Sequence, residues 1–460
     1  MVDAADTESG LKFFRPLAIR NFRLLWIGSA LSMLGGQLTM IAFPWLVLRL
    51  TGDSFAMGAV LAASGVPRAL LMIFGGAFTD RFTPLRMLIW MNWIRMALML
   101  ILATLVFTGT IEMWMVFAVA IVFGAADAFT WPASSAILPR LLPPELFPPG
   151  NSLVQGMGQL SQMLGPVLGG LIIAYFSAGD GMAVEDLLGI SIVFYLDAFG
   201  FIIALISLNM MRLAPEAAPT TAFNVGTILQ SSWQGVVATW NDFPVRMLAC
   251  MFAVFALFFR GPYLVGIPML AHSRFEDGAL SFGLISSAFG VGALIGLLLA
   301  GTLRRPADHH IGLLLLADIV VLGIGLVAYA FTTHIEVAML FSALSGVADG
   351  YVIVIIISFL QIRIPQAMLG RVMSVIMIFN MGLLPLSAAV SGALIRISLE
   401  SVLLGAGCIL IGLALVSSMV PKIRTLGLGN ASDTGDNTIE SVDDDIDSLR
   451  KQAPRRHFSI

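Results

Sequence analysis

The chain has 460 residues, of which 58% are hydrophobic and only 12% charged, with a formal net charge of −3 and a mean hydropathy of +0.93. A soluble domain carries roughly 25% charged residues, so a polytopic membrane protein is the one broad class that fits. The near-neutral balance offers no nucleic-acid footprint, and the lysines (Lys12, Lys422, Lys451) all lie outside the apolar region, which excludes a P-loop ATPase.

Residues 1–21 are polar and basic, with no cleavage site before a long apolar run, so the first helix is expected to remain uncleaved. A spanning helix needs about 20 apolar residues. Breaks at charged or Gly/Pro clusters then give an all-α polytopic protein of twelve transmembrane helices. The first six cover 22–48, 55–79, 86–108, 113–138, 147–177 and 187–211. The second six cover 244–271, 281–302, 310–331, 337–361, 370–395 and 400–420. Expected domains are an N-terminal six-helix bundle (22–211), a linker with an amphipathic surface helix (212–243), a C-terminal bundle (244–420) and a disordered polar tail (421–460). Basic residues such as Arg81, Arg86, Arg140, Arg246 and Arg363 gather on one side, whereas the other holds Arg49, Arg274 and Arg396 beside acids such as Asp180 and Glu276. The positive-inside rule therefore puts both termini in the cytoplasm.

Residues 156–170 read GMGQLSQMLGPVLGG within an apolar segment. On a helix, Gly158, Gln162, Gly165 and Gly169 share one stripe and Gly156, Gln159, Met163, Pro166 and Gly170 another. Two nearly bare stripes suit close packing between two neighbours, and Pro166 removes a backbone donor. The chain also repeats itself. GAADAF at 124–129 returns as GVADGY at 346–351, and the same offset of 222 carries Pro143 to Pro365 and Ser152 to Ser374. The fourth and tenth helices are thus equivalent, and the protein is two pseudo-symmetric six-helix halves.

The spacing in 156–170 resembles the fifth-helix antiporter signature of the major facilitator superfamily. GGAFTDRFTPLR (75–86) is similar to that family's signature loop: Gly76, Asp80 and Arg81 match, Thr83 replaces the second glycine, and Arg86 supplies a remaining positive charge. LLLAGTLRRP (297–306) is a degenerate partner loop. RNFRLLW (20–26) and WPASSAILPRLLPPE (131–145) resemble the branch of drug:proton antiporters that includes macrolide-efflux and enterobactin-exporter proteins. The resemblance implies alternating access about a cavity lined by helices one, four, seven and ten. It also implies that Asp80, Arg81 and Arg86 lock the outward-open state, and that Gly156, Gly165, Pro166, Gly169 and Gly170 form the close, kinked contact against the other half that limits leak.

Seven ionisable residues fall inside the helices: Arg68, Arg95, Asp127, Asp197, Arg260, Asp318 and Asp349. Each costs about 2.5–3.5 kcal/mol at mid-bilayer, so each should face protein or water. Asp127 and Asp349 stand out. They are related by the repeat, lie on helices that the resemblance makes cavity helices, and are carboxylates, which can exchange protons in a low dielectric. Arg260 is the natural counter-charge, with Asp197 or Arg68 extending the network, and Gln37, Trp131, Phe129, Tyr351 and Phe259 are expected to line the cavity. The leading reading is a proton-coupled exporter of an amphiphilic small molecule, a drug or a siderophore-like metabolite, acting as a monomer in a bacterial inner membrane. The alternatives are an importer or lipid transporter and, more distantly, a membrane sensor or scaffold. No cofactor, metal site or enzyme chemistry is expected: the histidines lie in loops or the tail without ligand spacing.

Overall fold

A computed structural model describes residues 14–177, 184–212, 225–303, 306–307, 310–364 and 366–424, with backbone alone at 73–81, 131, 184–186, 225–232, 366–367, 370 and 422. Twelve helices among these residues are long and apolar enough to cross a membrane. The first six are α1 (Arg20–Thr51), α2 (Ser54–Phe82), α3 (Pro84–Phe107), α4 (Met113–Ile137), α5 (Phe147–Phe176) and α6 (Val184–Asn209). Next come α7 (Phe243–Arg274), α8 (Gly278–Thr302), α9 (Ile311–Phe331) and α10 (Ile335–Arg363). The last two are α11 (366–395) and α12 (Leu399–Ser418). An even number of crossings brings both described ends to one face, called here the terminal face; the opposite one is the far face.

The two sets of six pack alike. In the first, α1 packs on α5 and α6, α2 on α4, and α3 on α4 and α6. In the second, α7 meets α11 and α12, α8 meets α10, and α9 meets α10 and α12. These are the same pairs shifted by six helices. The bundles meet along α5–α8 and α2–α11, which are also equivalent under the repeat. Small residues permit that contact because van der Waals packing, rather than a hydrophobic drive, holds helices together in lipid. A Cβ on Gly170 would lie 2.6 Å from Ala279 O and 3.0 Å from Leu280 Cα. One on Gly392 would lie 2.6 Å from Ser54 O and 3.1 Å from Gly58 Cα. The offset of 222 carries Gly170 to Gly392 and Gly58 to Leu280, so the two seams are one contact made twice.

Both seams hold the far face closed. Ser54 Oγ donates to Gly392 O at 3.0 Å, and Arg396 Nε lies 3.9 Å from Asp53 Oδ1. Toward the terminal face, a Cβ on Gly156 or Gly301 would meet nothing within 4 Å. The bundles therefore touch in the far-face half and part toward the terminal face.

The linker helix (Val225–Asn241) docks on the second bundle. Arg371 Nη1 donates to Gln234 Oε1 at 2.8 Å. Arg363 Nε bonds both carboxylate oxygens of Asp242, at 3.2 and 3.0 Å. Trp233 and Trp240 are left exposed on this helix, as suits an interfacial position. The remaining linker, the tail beyond residue 424, Asp180, Arg304 and Arg305 lie outside the described residues, as do the side chains of Glu185 and Asp186.

Between α2 and α3, Thr83 has φ 62° and is the one non-glycine residue with positive φ among those described. The position where the signature loop has glycine keeps a backbone that favours glycine, although the side chain is threonine. Such strain costs about 1–3 kcal/mol, offset in part by the greater freedom of glycine in the unfolded chain. Thr83→Gly should therefore stabilise the protein by about 1 kcal/mol, read as a higher thermal midpoint in detergent; a lower midpoint would contradict the strain.

Candidate functional site

A cavity of about 500 Å³ lies between the bundles, walled by α1, α2 and α5 on one side and α7, α8, α10 and α11 on the other. Two features of the sequence shape its second wall. Phe252, Phe255, Phe259 and Tyr263 recur every three or four residues and so fall on one face of α7. Phe255 stacks on Phe259 at 5.3 Å and Phe259 on Tyr263 at 5.4 Å, while Phe289 of α8 approaches Tyr263 at 5.6 Å. The helices also widen here into π-helical turns at Ala256–Arg260 and Ile378–Gly382. Such turns re-aim side chains and recur at functional sites. Here they turn Arg260 and Asn380 toward each other, with Arg260 Nη1 donating to Asn380 Oδ1 at 2.8 Å.

Of the residues singled out from sequence, Gln37, Arg68, Pro166, Phe259, Arg260 and Asp349 come together on this cavity. Arg260 and Asp349 are within electrostatic range of one another. Asp127 is held within its own bundle: Oδ2 lies 3.4 Å from Arg68 Nε and Oδ1 3.6 Å from Arg95 Nη2. Arg95 is in turn sandwiched between the rings of Phe123 and Phe201, at 4.8 and 4.6 Å. Arg68 thus links Asp127 to the cavity. Asp197 turns away into the α1–α6 contact, fully buried, where Thr39 Oγ1 donates to its Oδ2 at 2.7 Å. Tyr351 packs against the main apolar core beside α8, and Phe129 packs on a smaller core cluster. Arg86 is exposed at the start of α3. The side chains of Trp131, Gly76, Asp80 and Arg81 fall outside the described residues.

The two stripes of α5 face different neighbours. Gly165 and Gly169 abut α1 at Gln37, Leu38 and Ile41; Pro166 and Gly170 abut α8 at Gly283, Ala279 and Leu280. The α5 backbone also crosses the seam, because Val167 N donates to Ser287 Oγ at 2.9 Å. Gly156 lies at the terminal-face end, where the helices have parted.

A second cavity, about 460 Å³, opens within the first bundle among polar groups including Ser29, Ser32, Asn92, Arg95, Thr130 and Gln155. It shares Gln37 and Gln162 with the central cavity. Gln37 Oε1 is buried there without a hydrogen-bond partner. An unmet amide oxygen at the junction is a ready acceptor for a ligand donor, since leaving it unmet costs about 1–3 kcal/mol. The combined site offers aromatic faces at one end and hydrogen-bonding groups at the other.

Sequence reasoning passed over Asn380, Phe252, Phe255, Tyr263 and Phe289. The α7 aromatics carried a signal in their three-and-four spacing. Asn380 carried none, because its role depends on a π-helical turn that no residue pattern announces. Because Asp127 balances two partly buried arginines, Asp127→Ala should lower stability by about 1–3 kcal/mol. Thermal unfolding in detergent reads this effect, and an unchanged midpoint would make the triad energetically idle.

Comparisons with known proteins agree on the class. A family model described as "Transmembrane secretion effector" matches residues 12–441. The multidrug efflux pump Tap of Mycolicibacterium fortuitum is 24% identical over 425 residues, covering 90% of this chain and 98% of its own. Macrolide efflux protein A of Streptococcus pyogenes is 21% identical over 411 residues, covering 89% and 98%. Among solved structures, the nucleoside transporter NupG superposes with a TM-score of 0.66 at 13% identity, over 88% of this chain and 99% of that one. A bacterial homologue of the iron transporter ferroportin in its inward-facing state gives 0.62 at 17% identity, over 86% and 98%. These structural likenesses concern the fold alone.

Proposed function

Because the chain belongs to the transmembrane secretion effector family of the major facilitator superfamily, we propose that it exports an amphiphilic small molecule in exchange for protons. The carrying observation is the central cavity. Its aromatic wall suits an apolar body, its polar annex suits hydrogen-bonding groups, and the intramembrane charges Arg68, Arg260 and Asp349 supply what proton exchange needs. The excess of basic residues on the terminal face supports a cytoplasmic position for that face and both termini, and the bacterial relatives support a bacterial inner membrane as the chain's location. The state in hand then opens to the cytoplasm. Rocking of the 22–211 bundle against the 244–420 bundle would open the far-face seams and release substrate outside. Asp349, Asp127 or both carry the proton, and Arg260 competes with substrate for the ionised form. The relatives Tap and macrolide efflux protein A support drug-like substrates.

Everted membrane vesicles test this reading with a panel containing a macrolide, a cationic dye and a siderophore. Uptake of at least one compound, abolished by a protonophore, is the expected result. Uptake indifferent to the protonophore would remove proton coupling, and uptake only into right-side-out vesicles would favour an importer.

A further inference from the structure

A small cavity of about 40 Å³ lies between α7, α9 and α10. Asp318 and Asp349 line it, and the other lining residues are apolar, among them Leu248, Met251 and Ile356. That volume holds a water molecule or two and no organic substrate. Asp349, Phe252, Phe255 and Ile353 also line the central cavity and so form the partition between the two spaces. Asp318 Oδ1 is shut off from solvent and has no hydrogen-bond partner. Its nearest charged neighbour in this pocket, Asp349, has the same sign and is within electrostatic range. Two carboxylates in one apolar pocket repel, and even one unmet anion is costly there. Arg260 offsets Asp349 from the substrate cavity, but the charge recorded against Asp318 is that of Asp349 alone, so a proton must join the pair.

We propose that Asp318 and Asp349 form a carboxyl pair holding the coupled proton in this pocket, behind the substrate cavity. A metal cation such as sodium fits poorly, because hard cations gather several oxygen ligands and the pocket offers only two carboxyls in an apolar wall. The step is proton exchange alone: an O–H bond forms on one carboxylate oxygen with a proton from the aqueous phase, and the same bond later breaks to return it. With the proton bound, the pair carries one charge fewer and Asp349 holds neither Arg260 nor substrate, so substrate is displaced. When the proton leaves, substrate and Arg260 compete again for the ionised carboxylate. Leu248, Leu315 and Ile356 line the pocket on the terminal-face side of the pair. Among the described residues, Arg260 of α7 is in electrostatic range of Asp349, with Arg68 of α2 across the cavity. Tyr263 of α7 lines the same cavity and packs on Tyr329 of α9, and Tyr351 follows Asp349 on α10. Helix α8 carries none, while α12 carries Cys408 and, at its far-face end, Glu400 bonded to Arg274.

This inference rests on the proton-coupled reading above, and two measurements separate their fates. Dicyclohexylcarbodiimide attacks protonated carboxyls in apolar surroundings, and its adducts on the protein in proteoliposomes can be mapped by mass spectrometry. Asp349 is the member of the pair that the central cavity lets the reagent reach, and an adduct on it that declines as pH rises and is indifferent to sodium chloride is expected. No adduct on Asp349, or protection by sodium, would overturn the carboxyl pair whatever the protein transports. The second measurement is the pH dependence of erythromycin affinity. A coupling of about 5–150-fold is expected in the wild type. It should fall to about twofold or less in Asp318→Asn and return in Asp318→Glu with a displaced midpoint. Full pH dependence in a monodisperse Asp318→Asn protein would reject the pair alone. Erythromycin binding without pH dependence in the wild type would reject the proton-coupled reading and the pair with it.

Discussion

Leucine at Gly170 or at Gly392 should stop transport while each bundle stays folded. Both glycines press backbone on backbone across the far-face seams, so a side chain there has no flexible neighbour to displace. Overpacking of this kind costs about 1–3 kcal/mol. The cost falls only on the far-face-closed state, because the seams come apart when the bundles rock. Each 1.4 kcal/mol is a factor of ten, so the closed state should lose about 5–150-fold in population relative to the open one. Cysteines at Asp53 and Arg396, which approach across the closed face, report the state directly once Cys250 and Cys408 have been replaced. Their crosslinking yield should drop in either leucine variant and recover in glycine-to-alanine variants only in part. Undiminished crosslinking would mean that the seams do not set the conformational balance. Gly165→Leu and Pro166→Leu act on the same helix and should also impair export, Gly165→Leu through α1 within its own bundle.

The second large effect is expected at Asp349. A pH difference of two units across the membrane can sustain about 100-fold accumulation of a neutral substrate exchanged for one proton, since each unit is worth a factor of ten. Asp349→Asn keeps the shape of the side chain and removes its charge change, so accumulation should collapse to about the passive ratio while substrate still binds. Exchange of labelled for unlabelled substrate, which needs no net proton movement, should persist. Loss of exchange as well would assign Asp349 to substrate binding rather than to coupling. Accumulation at the wild-type level would remove it from the mechanism.

How far these sites could be read from sequence differs by feature. The twelve spans were legible because lipid demands long apolar helices with every backbone group satisfied. The stripes of α5 were legible as well, since helical periodicity alone separates Gly165 and Gly169 from Pro166 and Gly170, and the structure sets those pairs against α1 and α8. The contrasting surroundings of Asp127 and Asp349 were not legible. The offset of 222 equates their backbone positions, but it carries Arg68 to Gly290 and Arg95 to Ala317, so the arginines that hold Asp127 have no counterpart. Asp349 faces Arg260 and Asp318 instead, and neither of these has a charged mate in the first half. A repeat transmits the path of the backbone, whereas a buried charge takes its character from side chains that the two halves no longer share. The signature loop gives the converse case: Thr83 departs from the motif in residue type yet has a positive φ of 62°, a backbone that favours glycine.

The proposed exchange of substrate for protons runs through one cavity. The most direct test loads proteoliposomes of the purified protein with a pH-sensitive dye and follows lumenal pH while a transported compound from the panel moves down its own gradient. Proton flux opposite in direction to the compound, absent in Asp349→Asn, is the predicted result. Movement of the compound with no counterflow of protons would contradict it.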